Sequence, residues 1–331
     1  MKAGASSKDD PFMMGSNHFY NKKSSQRKTI VAVVAGVLFF SLMILPAFLG
    51  EPEAGTERTA TLQHMAHPPI DVKALSQAVN PPGGYTLPAR YGQVGPKLLE
   101  AGAIDTGAFQ QHYQQAGRAL PDKEMEILNR GSQESITINQ QNEDFLFRLF
   151  WALGLSNQNP IIENGPIQAG GRSKMESLES ISGWTLSRIP AKELFSSASI
   201  LALSPEQQAR VEDVAKAVYL PCCDHPAELP DCAHGMAMLG LLEFMASQNA
   251  STEAMFSAAK QVNAFWFPQQ TLEQAIFLVA TQLKDYGNVD ARLIVSSPYS
   301  SANGFRQLRQ WLVDHGMVEA EENPQLSCSA K

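Results

Sequence analysis

The chain has 331 residues, 44% hydrophobic and 18% charged, a composition that fits one large globular domain or two small ones and excludes a wholly disordered chain. Its net charge of −7 argues against a nucleic-acid partner, because phosphate binding needs a basic surface. Four cysteines are too few for a fold built on disulfides, so a packed core must supply most of the stability.

Residues 1–28 hold six Lys/Arg and two Asp/Glu and read as a polar, disordered tail. Residues 29–50, TIVAVVAGVLFFSLMILPAFLG, carry no charge and match the roughly 20 residues a helix needs to cross a bilayer. Lys22, Lys23, Arg27 and Lys28 precede this run, and Glu51, Glu53 and Glu57 follow it. The positive-inside rule then predicts a cytoplasmic N-terminus and an extracytoplasmic remainder. The run is longer than the 7–15 apolar residues or so of a signal peptide, and no Ala-x-Ala site ends it. The expectation is an uncleaved, single-pass anchor in the cell membrane, with the lipid bilayer as partner of residues 29–50. Residues 29–331 carry 20 Lys/Arg against 31 Asp/Glu, which leaves a membrane or periplasmic protein as the further partner.

Residues 51–94 contain Pro52, Pro68, Pro69, Pro81, Pro82 and Pro88, with Gly83 and Gly84, and read as an extended stalk whose end can dock on the domain. His64 and His67 flank Met65 in it; the plainer account is solvated stalk residues, since nothing fixes their geometry.

Beyond the stalk the periodicity is helical, and the expected fold is an all-α domain over residues 95–331, as one body or as two lobes (95–160 and 200–320). Short helices are predicted over 96–102, after Asp105, and from Pro121–Asp122 to Gly131. The run 137–156 places Phe145, Phe147, Leu149, Phe150, Leu153 and Leu155 on more than one side, the mark of a helix buried on most faces. Residues 157–200 are loop-rich, a length that suggests a functional lid or plain irregular chain. The nearest approach to a strand is ARLIVSS at 291–297. Ser204-Pro205-Glu206-Gln207 is a capping box with proline at the first helical position, and the helix it opens ends before Pro221. Helices then follow from Cys232 to Ser247, from Ser251 or Thr252 to Phe265, up to Gly287 and up to Gly316.

The chemistry concentrates in YLPCCDHPAELPDCAHGMAM, residues 219–238. Cys222, Cys223, His225, Cys232, His234, Met236 and Met238 are all groups that soft metals prefer. A structural zinc site uses four, commonly Cys3His. The preferred ligands are Cys222, Cys223, Cys232 and His234, with His225 as substitute, for a copper or zinc ion. Geometry constrains this set: Cys232 and His234, if both helical, point about 200° apart, so Cys232 must be at or before the cap, where Asp231 competes. A helix N-terminus favours the thiolate, which suits ligation, disulfide exchange and nucleophilic attack alike. A disulfide from Cys232 to Cys222 or Cys223, stapling an interaction or adaptor domain on its stalk, is the alternative. A thiol–disulfide oxidoreductase is the third reading, although no CxxC is present. Cys328 lies near the C-terminus. Met238, Leu241, Leu242 and Met245 follow core spacing. Glu243, among them, is either a buried acid with a role at the site or, as expected here, part of a solvated stripe. No P-loop, dinucleotide-binding glycine pattern, HExxH or Gly-x-Ser-x-Gly motif occurs, and binding or sensing is expected rather than catalysis.

Pro221-Cys222-Cys223, followed by Asp231-Cys232-Ala233-His234-Gly235, resembles uncharacterised bacterial membrane-anchored proteins with a PCYCGC-type cysteine motif. The match covers the beginning of that motif; its Tyr, its later Gly-Cys and the lipoprotein cysteine of the group are absent here. The resemblance implies an extracytoplasmic, prokaryotic role in metal handling and no established activity.

Overall fold

The computed structural model describes residues 70–281 and 285–320, all within one compact unit, Met65–Lys331. The predicted anchor at 29–50, His64, His67 and Cys328 lie outside the described residues. Among the described residues, no helix is long and apolar enough to cross a membrane.

The fold is mostly helical, with one departure. The segment expected to end the stalk opens with helix α1 (Val72–Val79), where Asp71 accepts a hydrogen bond from the Ala74 amide at 2.9 Å. Strand β1 (Tyr85–Gly92) follows. Helices α2 (Val94–Glu100), α3 (Thr106–Gln115) and α4 (Asp122–Arg130) lead to strand β2 (Ser132–Ile138). The two strands pair antiparallel, Tyr85 with Ile138 and Thr86 with Thr137, and the register is interrupted between Thr86 and Arg90. Pro88, which has no N–H to give, falls inside that interruption. Leu87, Ala89 and Tyr91 turn inward from β1, and Ile136 and Ile138 from β2. The Gln248 amide meets Arg90 twice, accepting from its N–H and donating to its carbonyl, both at 2.9 Å. An all-α domain therefore becomes a helical domain with a two-stranded ribbon.

The core is built around α5 (Glu143–Ser156), in which every residue from Phe145 onward is buried. The loop-rich stretch after it holds four short helices, α6 (Pro160–Asn164), α7 (Gly171–Glu176), α8 (Glu179–Ser182) and α9 (Ala191–Leu194). Its backbone is tied down, with Ala198 donating to Ser156 and Asp105 to Leu186. Helix α10 (Pro205–Ala215) starts with the predicted capping box, Ser204 and Gln207 satisfying each other's backbone. Helix α11 (Ala233–Ser247) is buried from Gly235 to Ala246 and packs along α5. Helix α12 (Thr252–Trp266) packs against it, and α13 (Pro268–Ala280) packs against α12 and α1. The residues weighed as a strand instead form α14 (Ala291–Ile294), capped by Asp290, which accepts from the Arg292 amide at 2.9 Å. Short α15 (Ser297–Ser300) and α16 (Ala302–Asp314) follow. Helices α5 and α11 share one core.

Candidate metal centre

The segment between α10 and α11 doubles back on itself. Tyr219 bridges to Pro226, and the Ala227 amide donates to the Val218 carbonyl at 2.8 Å. A turn closed by Cys223 N–H on the Leu220 carbonyl, 3.1 Å, presents both cysteines. The loop is anchored on both flanks: Tyr219 donates to the Val295 carbonyl at 2.7 Å, and Ala302 donates to the Cys223 carbonyl at 2.9 Å. Asp224 accepts from the Asn303 amide at 2.5 Å, adding a cap to α16.

Cys232 is the N-cap of α11, with extended backbone (φ −111°, ψ 163°) and its sulfur accepting from the Gly235 amide at 3.3 Å. This is the placement that ligation required. Glu179 accepts from the next amide, Ala233, at 2.7 Å, placing a carboxylate at the positive end of the helix. Asp231, freed from capping, holds the Ser180 amide with its carbonyl at 3.1 Å.

The three sulfurs form a triangle: Cys223–Cys232 3.2 Å, Cys222–Cys223 3.5 Å and Cys222–Cys232 3.8 Å. None is at the S–S bonding distance of about 2.05 Å. In a tetrahedral site with Zn–S near 2.3 Å, neighbouring sulfurs stand about 3.8 Å apart, so the triangle is close to the size of one face of such a site. The thiols are buried, Cys222 9% exposed, Cys223 7% and Cys232 3%. These three residues can hold a metal ion.

A second group shares one member with the first. Cys223, His225 and Asp231 bring their ligand atoms within 4.8 Å of one another. His225 Nε2 is 3.1 Å from Asp231 Oδ1, and His225 Nδ1 donates to the Pro226 carbonyl at 3.3 Å. Asp231 was weighed in the sequence only as a cap; its adjacency to Cys232 was the one available signal for a ligand.

His234 departs from the expected ligand set. As the second residue of α11 it turns toward α5 and the α12–α13 junction, its ring centroid 4.7 Å from that of Phe147 and 4.6 Å from that of Phe267. It belongs to neither ligand group. Glu243 is also corrected: it is fully buried, not part of a solvated stripe. Its carboxylate accepts from Asn159 at 2.6 Å and Asn157 at 3.2 Å. Burial pushes this carboxyl well above its ordinary range, the two amides pulling the other way. Asn157 is held in turn by the Leu201 amide, and Asn159 by the Ile161 amide and the Gln208 side chain.

No protein family, curated protein or solved structure matches this chain.

Proposed function

We propose that this is a membrane-anchored, extracytoplasmic metal-binding protein that holds a copper or zinc ion at Cys222, Cys223 and Cys232 for binding or sensing. The observation that carries the reading is the sulfur triangle of 3.2, 3.5 and 3.8 Å. Three thiolates converging at that spacing suit a thiophilic d10 ion. Burial suits retention of an ion rather than attack on a partner's disulfide, which needs an exposed thiolate, so the oxidoreductase reading has the least support. Anchoring rests on the uncharged run at 29–50 and its basic flank. His225 takes the place first given to His234, because its ring lies beside Cys223.

The test is elemental mass spectrometry of the full-length chain with a count of reactive thiols under denaturing conditions. The expected result is about one copper or zinc per chain, lost in Cys223→Ser. A metal-free protein with two thiols missing from the count would instead establish the staple reading. The 3.2 Å separation of Cys223 and Cys232 makes that pair its bridge.

A further inference from the structure

The two ligand groups overlap at a single atom, the sulfur of Cys223, and differ in chemistry. One consists of three sulfurs, all buried. The other is a sulfur, an imidazole nitrogen and a carboxylate oxygen, with the His225 side chain 28% and the Asp231 side chain 33% exposed. We infer that the centre is two overlapping sites sorted by metal softness: Cys222, Cys223 and Cys232 take Cu(I), while Cys223, His225 and Asp231 take Zn(II), and the shared Cys223 makes the two ions compete. This rests on the metal-binding reading above and refines which ion goes where.

Each half has its own geometric support. In a tetrahedral zinc site with N and O ligands about 2.0–2.1 Å from the metal, those ligands stand about 3.3 Å apart. His225 Nε2 and Asp231 Oδ1 are 3.1 Å apart, the spacing at which one ion reaches both. The Pro226 carbonyl takes the opposite ring nitrogen, the outer support that metal-bound histidines use to fix their ring. Asp231 is tied on its main chain by the Ser180 amide. The fourth zinc position is left to water or Cys232. Cu(I) is satisfied by thiolates alone, and the triangle supplies three without recruiting a harder ligand. Ligation displaces the thiol protons to solvent in either case.

The experiment titrates the full-length chain, reduced and anaerobic in detergent, with Cu(I) against a chromogenic Cu(I) chelator, and separately with Zn(II) against a zinc-binding dye. His225→Gln and Asp231→Asn should each weaken Zn(II) binding about 10-fold or more, the scale of losses at metal-site positions, and leave Cu(I) binding within about 2-fold, a margin of about 0.4 kcal/mol. Cys222→Ser should do the reverse, and Cys223→Ser should abolish both. Circular dichroism on each variant separates loss of a ligand from loss of fold. Equal weakening of both ions by the His225 and Asp231 variants would overturn the sorting in favour of one four-ligand centre. No effect of these variants on either ion would overturn it by reducing the pair to an ion pair. A wild-type chain that binds neither ion would sink the metal-binding reading itself, an outcome distinct from the other two.

Discussion

Gly154 of α5 and Gly240 of α11 stand backbone to backbone: a β-carbon on Gly240 would meet the Phe150 carbonyl oxygen and lie 2.7 Å from the Gly154 nitrogen, and one on Gly154 would strike the Met236 carbonyl. The obstacles are main-chain atoms of a neighbouring buried helix and cannot rotate away. Gly240→Ala is therefore expected to lower the unfolding free energy by about 3 kcal/mol, the upper part of the usual range for overpacking, read from the urea midpoint. Since α11 also carries Cys232 at its cap, metal uptake should fall with it. An unchanged midpoint would show that the two helices can separate at no cost.

Glu243 predicts a pH dependence. Its folded-state carboxyl titrates above the ordinary value of about 4.3. Below that value both states are protonated and its contribution is fully present. As pH rises, the unfolded chain loses the proton first, and stability is lost until the folded group also ionises. Glu243→Gln removes this titration, so the variant's unfolding free energy should fall less than the wild type's between pH 4.5 and 7. The variant also gives up one acceptor to Asn157 or Asn159, an offset of about 1 kcal/mol that is independent of pH. Parallel stability-against-pH curves for the two proteins would refute the assignment.

Metal should stabilise the fold it binds. At a free ion concentration 100 times the dissociation constant, linkage gives about 2.7 kcal/mol. For a domain of this size that is a rise in Tm of roughly 5–10 °C. The rise should reverse with a chelator and be absent from Cys223→Ser, as differential scanning calorimetry would record.

His234→Ala separates packing from ligation. The variant should take up the same amount of metal as the wild type, because the ring faces Phe147 and Phe267. It should lose about 1–2 kcal/mol of stability through those two aromatic contacts. A loss of bound metal with unchanged stability would restore His234 to the ligand set.

Much of this was legible in the sequence where a local rule decides the outcome. The capping box at Ser204, the buried run of α5 and the convergence of Cys222, Cys223 and Cys232 all follow from nearest-neighbour chemistry. The β-ribbon was not legible, because Pro88 breaks the strand signal in β1 and its partner lies beyond three intervening helices, with no hairpin turn to announce it. The burial of Glu243 was not legible for a related reason. A carboxylate inside an apolar helix is tolerated only if distant donors reach it, and Asn157 and Asn159 come from a loop more than eighty residues earlier. The choice between His225 and His234 turns on which way one helical residue points, and Phe147 and Phe267, distant in sequence, receive that ring.

The pairing of Gln248 with Arg90 has a consequence for how this protein behaves in a crowd. An unanswered N–H and C=O on the outer rim of a two-stranded ribbon is a docking template for any passing extended chain. Here a glutamine at the end of a buried helix stands in for the missing third strand and stoppers the rim at its most irregular point. Self-association through that point of the rim would first have to pull the stopper out.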